Sequence, residues 1–140
     1  MKLGDITDIA VSGLLAQRAR IAVTASNIAN AETTRTPQGG PYRRRDPVLS
    51  TQPVRRFSSH LERAMHKVRV ESVQVDRSPG VLRFDPGHPD ANDEGYLTLP
   101  NVSVVEELTN VLSAGRSFEA NLLILRKVRD MSDAAMQVGR

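Results

Sequence analysis

The chain is 140 residues long, about one domain, with no cysteine, no tryptophan and only 4% aromatic residues. The missing cysteine excludes disulfides, thiolate catalysis and cysteine-ligated metals, and the scarce aromatics leave any core to Val, Leu, Ile and Ala, which favours helix-on-helix packing over an enclosed catalytic cavity. The net charge of +3 is unevenly spread: residues 35–84 carry eleven basic and four acidic side chains, and Asp85, Asp90, Asp93 and Glu94 then reverse the sign. A basic middle attracts nucleic acid or acidic lipid. Because 16 of the 19 basic residues are arginines spread along the whole chain, an ordinary solvated surface is the simpler account.

Residues 1–34 form a first unit, with a helix expected from about Asp5 to Ala31. Asp5 or Thr7 would cap its start by accepting from free amide groups. Val11, Leu14, Ile21, Ala25 and Ile28 fall on one apolar stripe at helical spacing. Arg18 interrupts that stripe, and Gly13 weakens the turn around it by ~1 kcal/mol relative to Ala. Such a helix would be roughly 40 Å long, too long to hide in a small globule without a partner. Asn27, Asn30, Thr33 and Thr34 with Pro37 beyond make a polar stop.

Residues 35–100 differ in kind, holding all 8 prolines of the chain. Val68 and Val70, then Val73 and Val75, alternate with polar residues, and the parity slips at Glu71-Ser72. That pattern predicts a strand with a bulge or two short strands. Val81–Phe84 and Tyr96–Leu99 read as further strands, and Leu61–Met65 as one or two helical turns. The result is a small β-rich insert between terminal helices.

Residues 101–140 hold the stronger helix, from about Val102 to Val138. Pro100 ends what precedes it, and Ser103-Val104-Val105-Glu106 matches a capping box. Leu108, Val111, Gly115, Phe118, Leu122 and Leu125 recur at intervals of 3 and 4, then the stripe slips to Val128, Met131, Ala135 and Val138, a phase change of coiled-coil type. This helix would span about 55 Å. The expected class is α+β: long N- and C-terminal helices pairing as a coiled coil, with a Pro/Gly-rich insert.

Little in the sequence carries catalytic or metal chemistry. Asp90, Asn92, Glu94 and Gly95 match early calcium-loop positions, but Asn101 stands where a bidentate Glu is needed. A turn whose carboxylates bind backbone amides is the better account. His60 and His66 lie six apart, off the i, i+4 spacing of a zinc helix. Ser58-Ser59-His60 lacks a nucleophile elbow, and Gly39-Gly40 lacks the Lys-Ser/Thr of a phosphate loop. Arg43-Arg44-Arg45 and Arg55-Arg56 suit phosphates, yet only Tyr42 and Phe57 flank them, too few for a stacking platform. No enzyme activity, cofactor or metal is expected. The start Met1-Lys2-Leu3-Gly4-Asp5 has no secretory h-region, and no apolar run reaches the ~20 residues that span a bilayer.

Ser12-Gly13-Leu14-Leu15-Ala16-Gln17-Arg18 followed by Asn27-Ile28-Ala29-Asn30-Ala31 resembles the N-terminal signature of bacterial flagellar rod and hook axial proteins. Thr36 to Arg44, Asp85 to Ala91, Gly95 to Val102, and Glu106-Glu107 with Arg116 to Asn121 narrow the resemblance to its proximal-rod members, over nearly the whole chain. The resemblance implies end helices that pair in the inner layer of a hollow drive shaft, with the middle segment outside. It implies torque transmission and passage of exported subunits. The implied partners are further copies, other rod proteins and the flagellar type III export apparatus, without nucleic acid or direct membrane insertion. The implied location is the rod spanning the periplasm, reached without a cleaved signal. On this reading Leu14, Ile21, Ile28, Leu108, Phe118, Leu122, Leu125 and Val128 form apolar seams, joined at the interface by Gln17. Asn27, Asn30 and Asn121 satisfy polar groups where helices meet. Tyr42, Arg43 and Arg44 belong to a contact arm onto adjacent subunits. Another rod or hook subunit, or a basic nucleic-acid-binding protein using Arg43 to Arg56, are the competing readings.

Overall fold

The computed structural model describes residues 3–54 and 65–138. In chain order these form α1 (Leu3–Ala29), β1 (Arg45–Pro53), β2 (His66–Val75), β3 (Val81–Phe84), β4 (Tyr96–Leu99) and α2 (Val104–Val138). The class is α+β: two long helices and two antiparallel two-stranded sheets, β1–β2 and β3–β4.

Helix α1 already includes Leu3, so Asp5 lies within the first turn and does not cap it. There its carboxylate meets the positive end of the helix dipole. At the other end Asn30 Nδ2 donates to the Ser26 carbonyl at 2.8 Å, and the chain leaves the helix. Ser103 caps α2 as expected: its Oγ accepts from the Glu106 amide at 3.4 Å, and its carbonyl accepts from the Glu107 amide at 3.0 Å.

The β1–β2 ladder pairs Val48 with Ser72 and Leu49 with Val70, leaving Glu71 as the extra residue of a bulge. The parity slip in the valine pattern therefore marks a real bulge, and it falls where the slip placed it. Strand β1 is not foreshadowed by the pattern, since Pro47 and Pro53 count against a strand. Each strand of a two-stranded sheet has one unpaired edge, where a missing amide donor costs nothing. β3 and β4 occupy the expected residues, pairing Phe84 with Tyr96 and Val81 with Leu99. The helical turn expected at Leu61–Met65 falls outside the described residues except for Met65, whose carbonyl accepts from the Val54 amide to close the hairpin.

The helices pack antiparallel. Asn27, near the end of α1, bonds Glu107 at the start of α2. Further along, the Asn121 side chain lies against Gly13, where a Cβ would come within 2.9 Å of its Nδ2. Gly13 is thus a point of close helix approach, and Asn121 occupies the space that a side chain there would fill. The two contacts lie fourteen residues apart on each helix, from Gly13 to Asn27 and from Glu107 to Asn121. The residues buried in and beside this seam are small or polar: Ala10, Ala16, Thr24, Asn27, Glu107 and Ala114.

The apolar stripes read from sequence only partly coincide with that seam. Val11 and Ala25 face outward, and Leu14, Ile21 and Ile28 are half-buried. On α2, Phe118, Leu122, Leu125 and Val128 are half-buried, whereas Leu108 is exposed. Close backbone approach selects small side chains, which displaces the larger aliphatics to the flanks. The β1–β2 hairpin lies on α1, tied there by the Val68 amide donating to Ser12 Oγ at 3.1 Å and by a Lys67–Asp8 ion pair.

Candidate assembly interface

The most deeply buried polar structure joins three separate parts of the chain. Asn27 Oδ1 accepts from the Tyr42 hydroxyl at 2.9 Å and the Arg45 amide at 3.0 Å. Its Nδ2 donates to the Arg45 carbonyl at 2.8 Å and to Glu107 Oε2 at 3.0 Å. Two lone pairs and two N–H groups are all that an amide side chain offers, so Asn27 is fully satisfied. Glu107 is 0% exposed, and its Oε1 accepts from Arg44 Nε at 2.7 Å. The Arg44 amide donates to Asn101 Oδ1 at 2.9 Å, and the Arg45 guanidinium lies 5.5 Å from the centre of the Tyr42 ring.

Burial works against the charge on Arg44, but the hydrogen bond and charge of Glu107, with Asp46 and Asp76 beside it, outweigh burial and raise its pKa. Arg44 is therefore held charged against Glu107, and such pairing is the condition under which a buried charge is tolerated. In effect the cluster bolts the end of α1 and the start of α2 to residues 42–45, which lead into β1.

Of the residues singled out in the sequence, Asn27, Tyr42 and Arg44 meet in this cluster. The contacts of Tyr42 and Arg44 are made within the chain, to α1 and α2. Arg43 is exposed and donates to the Arg77 carbonyl at 3.3 Å. Asn30 accepts from the Thr33 hydroxyl at 3.2 Å in the turn after α1, and Gln17 accepts from Arg20 at 3.4 Å. Glu107, Arg45 and Asn101 are the members that sequence reasoning missed as site residues. A buried glutamate leaves no hydropathic signal. The usable clue was an acidic pair opening a helix in a chain that also carries an Arg-Arg-Arg run.

The Asp90–Gly95 segment is a hydrogen-bonded turn. Its acceptor is the amide oxygen of Asn92, which takes the Glu94 amide at 3.1 Å and the Tyr96 amide at 2.8 Å. The expected carboxylate role is thereby corrected: Asp90 instead reaches across to accept from the Thr34 hydroxyl at 2.7 Å. Among the described residues no group of three or more acidic or His side chains is placed to hold a metal ion, and no helix is long and apolar enough to cross a membrane.

Outside the seam the helices expose large aliphatic side chains. Val105, Leu108, Leu112 and Leu123 share one face of α2, and Leu15 stands outward on α1. Leu112 is 63% exposed and Leu15 59%. The Arg43–Arg45 run offers no continuous basic strip for a phosphate backbone, because Arg44 turns inward to Glu107.

Comparison with known proteins bears on both helices. Residues 8–35 match the family model described as flagella basal body rod protein, and residues 93–138 match that of flagellar basal body rod FlgEFG protein C-terminal. The chain is 39% identical to flagellar basal-body rod protein FlgC of Salmonella typhimurium, covering 100% of both chains. It is 38% identical to FlgC of Borreliella burgdorferi over 99% of this chain and 98% of that one. Identity to FlgC of Bacillus subtilis is 36% over 95% of each. With both helices matched and full-length identity at this level, the chain belongs to the FlgC family of flagellar basal-body rod proteins.

Proposed function

We propose that the chain is a structural, non-enzymatic subunit of the flagellar basal-body rod, with α1 and α2 paired as an antiparallel coiled coil in the inner layer of a hollow shaft. The observation that carries this is an inversion of side-chain size. Alanines, Thr24, Asn27 and Glu107 fill the seam, while Leu15, Leu108, Leu112 and Leu123 face solvent. Fully burying one leucine is worth about 2 kcal/mol, so a pair built to stand alone would place its leucines inside. Here the aliphatic faces await other subunits. The fourteen residues that separate the Gly13–Asn121 and Asn27–Glu107 contacts on each helix equal two heptads, the spacing that keeps a coiled-coil face in register.

On this reading further copies and other rod proteins cover the outer faces, with Leu14, Ile21, Leu122 and Val128 on the flanks. The middle segment lies outside the shaft, and the Arg43 side of residues 36–45 contacts a neighbour. The subunit leaves the cytoplasm through the flagellar type III export apparatus without a cleaved signal, and assembles where the rod spans the periplasm. It transmits torque and lets later subunits pass through the lumen, with no role for nucleic acid or membrane insertion.

Two substitutions test the assignment in a strain lacking its own copy of the chain. Leu112→Asp is expected to abolish rod assembly and swimming while changing the stability of the isolated chain by no more than ~0.5 kcal/mol, as for an exposed site. Leu122→Asp should likewise abolish swimming without preventing expression. Normal swimming by both variants refutes the assembly faces.

A further inference from the structure

The outward face of the β3–β4 hairpin carries an exposed apolar platform that the helix-pair reading leaves unused. Direct cross-strand partners and alternate residues share a sheet face, so Leu82, Phe84, Tyr96 and Thr98 lie together, opposite the buried Leu97. Leu82 is 69% exposed and Phe84 63%, although the chain has only five aromatic residues to place. The platform is rigid. The Phe84 and Tyr96 rings meet edge to face at 5.3 Å between centroids. Phe84 also lies over Gly95, where φ is +80° and a Cβ would come within 2.9 Å of the ring. Only glycine fits beneath it. Exposed aromatics held in one geometry are the usual anchors of protein interfaces. Asp93 and Glu94, in the turn leading into β4, add an acidic rim.

A surface of matching character lies on the same chain. Pro41, Tyr42 and Val75 wall a shallow depression of about 370 Å³ whose rim carries Arg43 and Arg45, both exposed. Thr36, Gln38 and Gly39 complete its lining, so its floor is mixed and its edge basic, where the platform has an apolar centre and a mainly acidic edge. We infer that the Phe84–Tyr96 platform of one copy docks into the Arg43/Arg45 depression of the next. The occupant is a second copy because Asp90, Asp93 and Glu94 outnumber Arg35 around the platform while the depression's rim is basic, and complementary potentials across an interface steer encounter and fix register. The two surfaces differ, so the contact is heterologous and propagates from copy to copy. This rests on the rod-subunit reading and specifies one of its contacts.

The test is a charge exchange in a strain lacking its own copy of the chain. Asp93→Lys with Glu94→Lys sets basic against basic, and Arg43→Glu with Arg45→Glu sets acidic against acidic. Each pair is expected to abolish swimming, and the four substitutions combined are expected to restore it by exchanging the charges. As an independent arm, a chain carrying Phe84→Cys and Val75→Cys should give disulfide-linked dimers in isolated basal bodies, against a background with no native cysteine. Swimming by the charge-reversed pairs, no rescue by the combination, or no cross-link overturns this interface and leaves the rod reading intact. Failure of the unmodified chain to restore swimming overturns the rod reading, and this interface with it.

Discussion

The two ends of the helix pair are built on opposite principles. Where α1 finishes and α2 begins, Asn27 and Glu107 are buried and every polar atom of Asn27 has a partner. At the far end, from Arg129 to Gln137, only Ser132 is even half-buried. The register that sets Gly13 beside Asn121 brings Leu3 opposite Met131, so α2 overhangs the described start of α1. One end is a joint that the chain completes alone. The other is left open to solvent, and local stability should follow that gradient.

The largest expected effect breaks the joint. Glu107→Ala removes the acceptor of Arg44 Nε and one acceptor of Asn27, leaving a half-buried cation with only the longer contact to Asp46 at 3.8 Å. Losing one partner of a buried pair costs about 3 kcal/mol or more, measurable by urea denaturation of the purified chain. A loss below ~1 kcal/mol, the size of an ordinary hydrogen bond, would mean that the cluster does not hold the helices together.

Amide exchange maps the gradient directly. Residues 107–121 should exchange slowly in the isolated chain, and residues 129–137 nearly as fast as an unstructured peptide. Uniform protection along α2 would erase the contrast. In assembled rods the fast segment should become slow, because neighbours cover it.

Gly13 tests the middle of the seam. Its replacement by Ala gains ~1 kcal/mol of helix propensity, but the new Cβ meets Asn121 at 2.9 Å. Gly13→Ala should be close to neutral in the native chain and stabilising by about 1 kcal/mol when combined with Asn121→Ala. Additive effects in that double-mutant cycle would show that the two residues do not share the space.

The smallest effect concerns pH. The Ser78 hydroxyl, then its amide, lower the pKa of Asp76, donating at 2.6 and 2.9 Å. A carboxyl lowered in the folded state contributes stability fully above the ordinary carboxylate value of about 4, and that contribution is lost as pH falls through the lowered value. Ser78→Ala should therefore flatten a slight loss of stability below that pH. Asp76 lies at the surface and is only half-buried, so the change should be small, and an unaltered acid limb would sever the link to Ser78.

Much of this was legible in the residues. Helical spacing announced both long helices to within about two residues at each end, Ser103 announced the start of α2, and the slip at Glu71-Ser72 announced the bulge. These signals are local, each readable within a dozen residues. β1 was hidden by Pro47 and Pro53, because a proline's meaning depends on whether its edge faces a neighbour. The resemblance flagged Asn27, Tyr42 and Arg44, three members of the buried cluster, without showing what they touch.

By itself the sequence determined the elements: amphipathic helices too long for their own domain, an alternating, bulged strand, and a proline-rich middle. Only the tertiary structure decided which faces meet. Asn27 and Glu107 are 80 residues apart, and no local pattern couples them. Apolar periodicity reports an apolar face but not what meets it, so the stripes could not separate the intrachain seam from the faces that stay exposed. The alanines took the seam because the helix backbones approach closely there, and the leucines were turned outward.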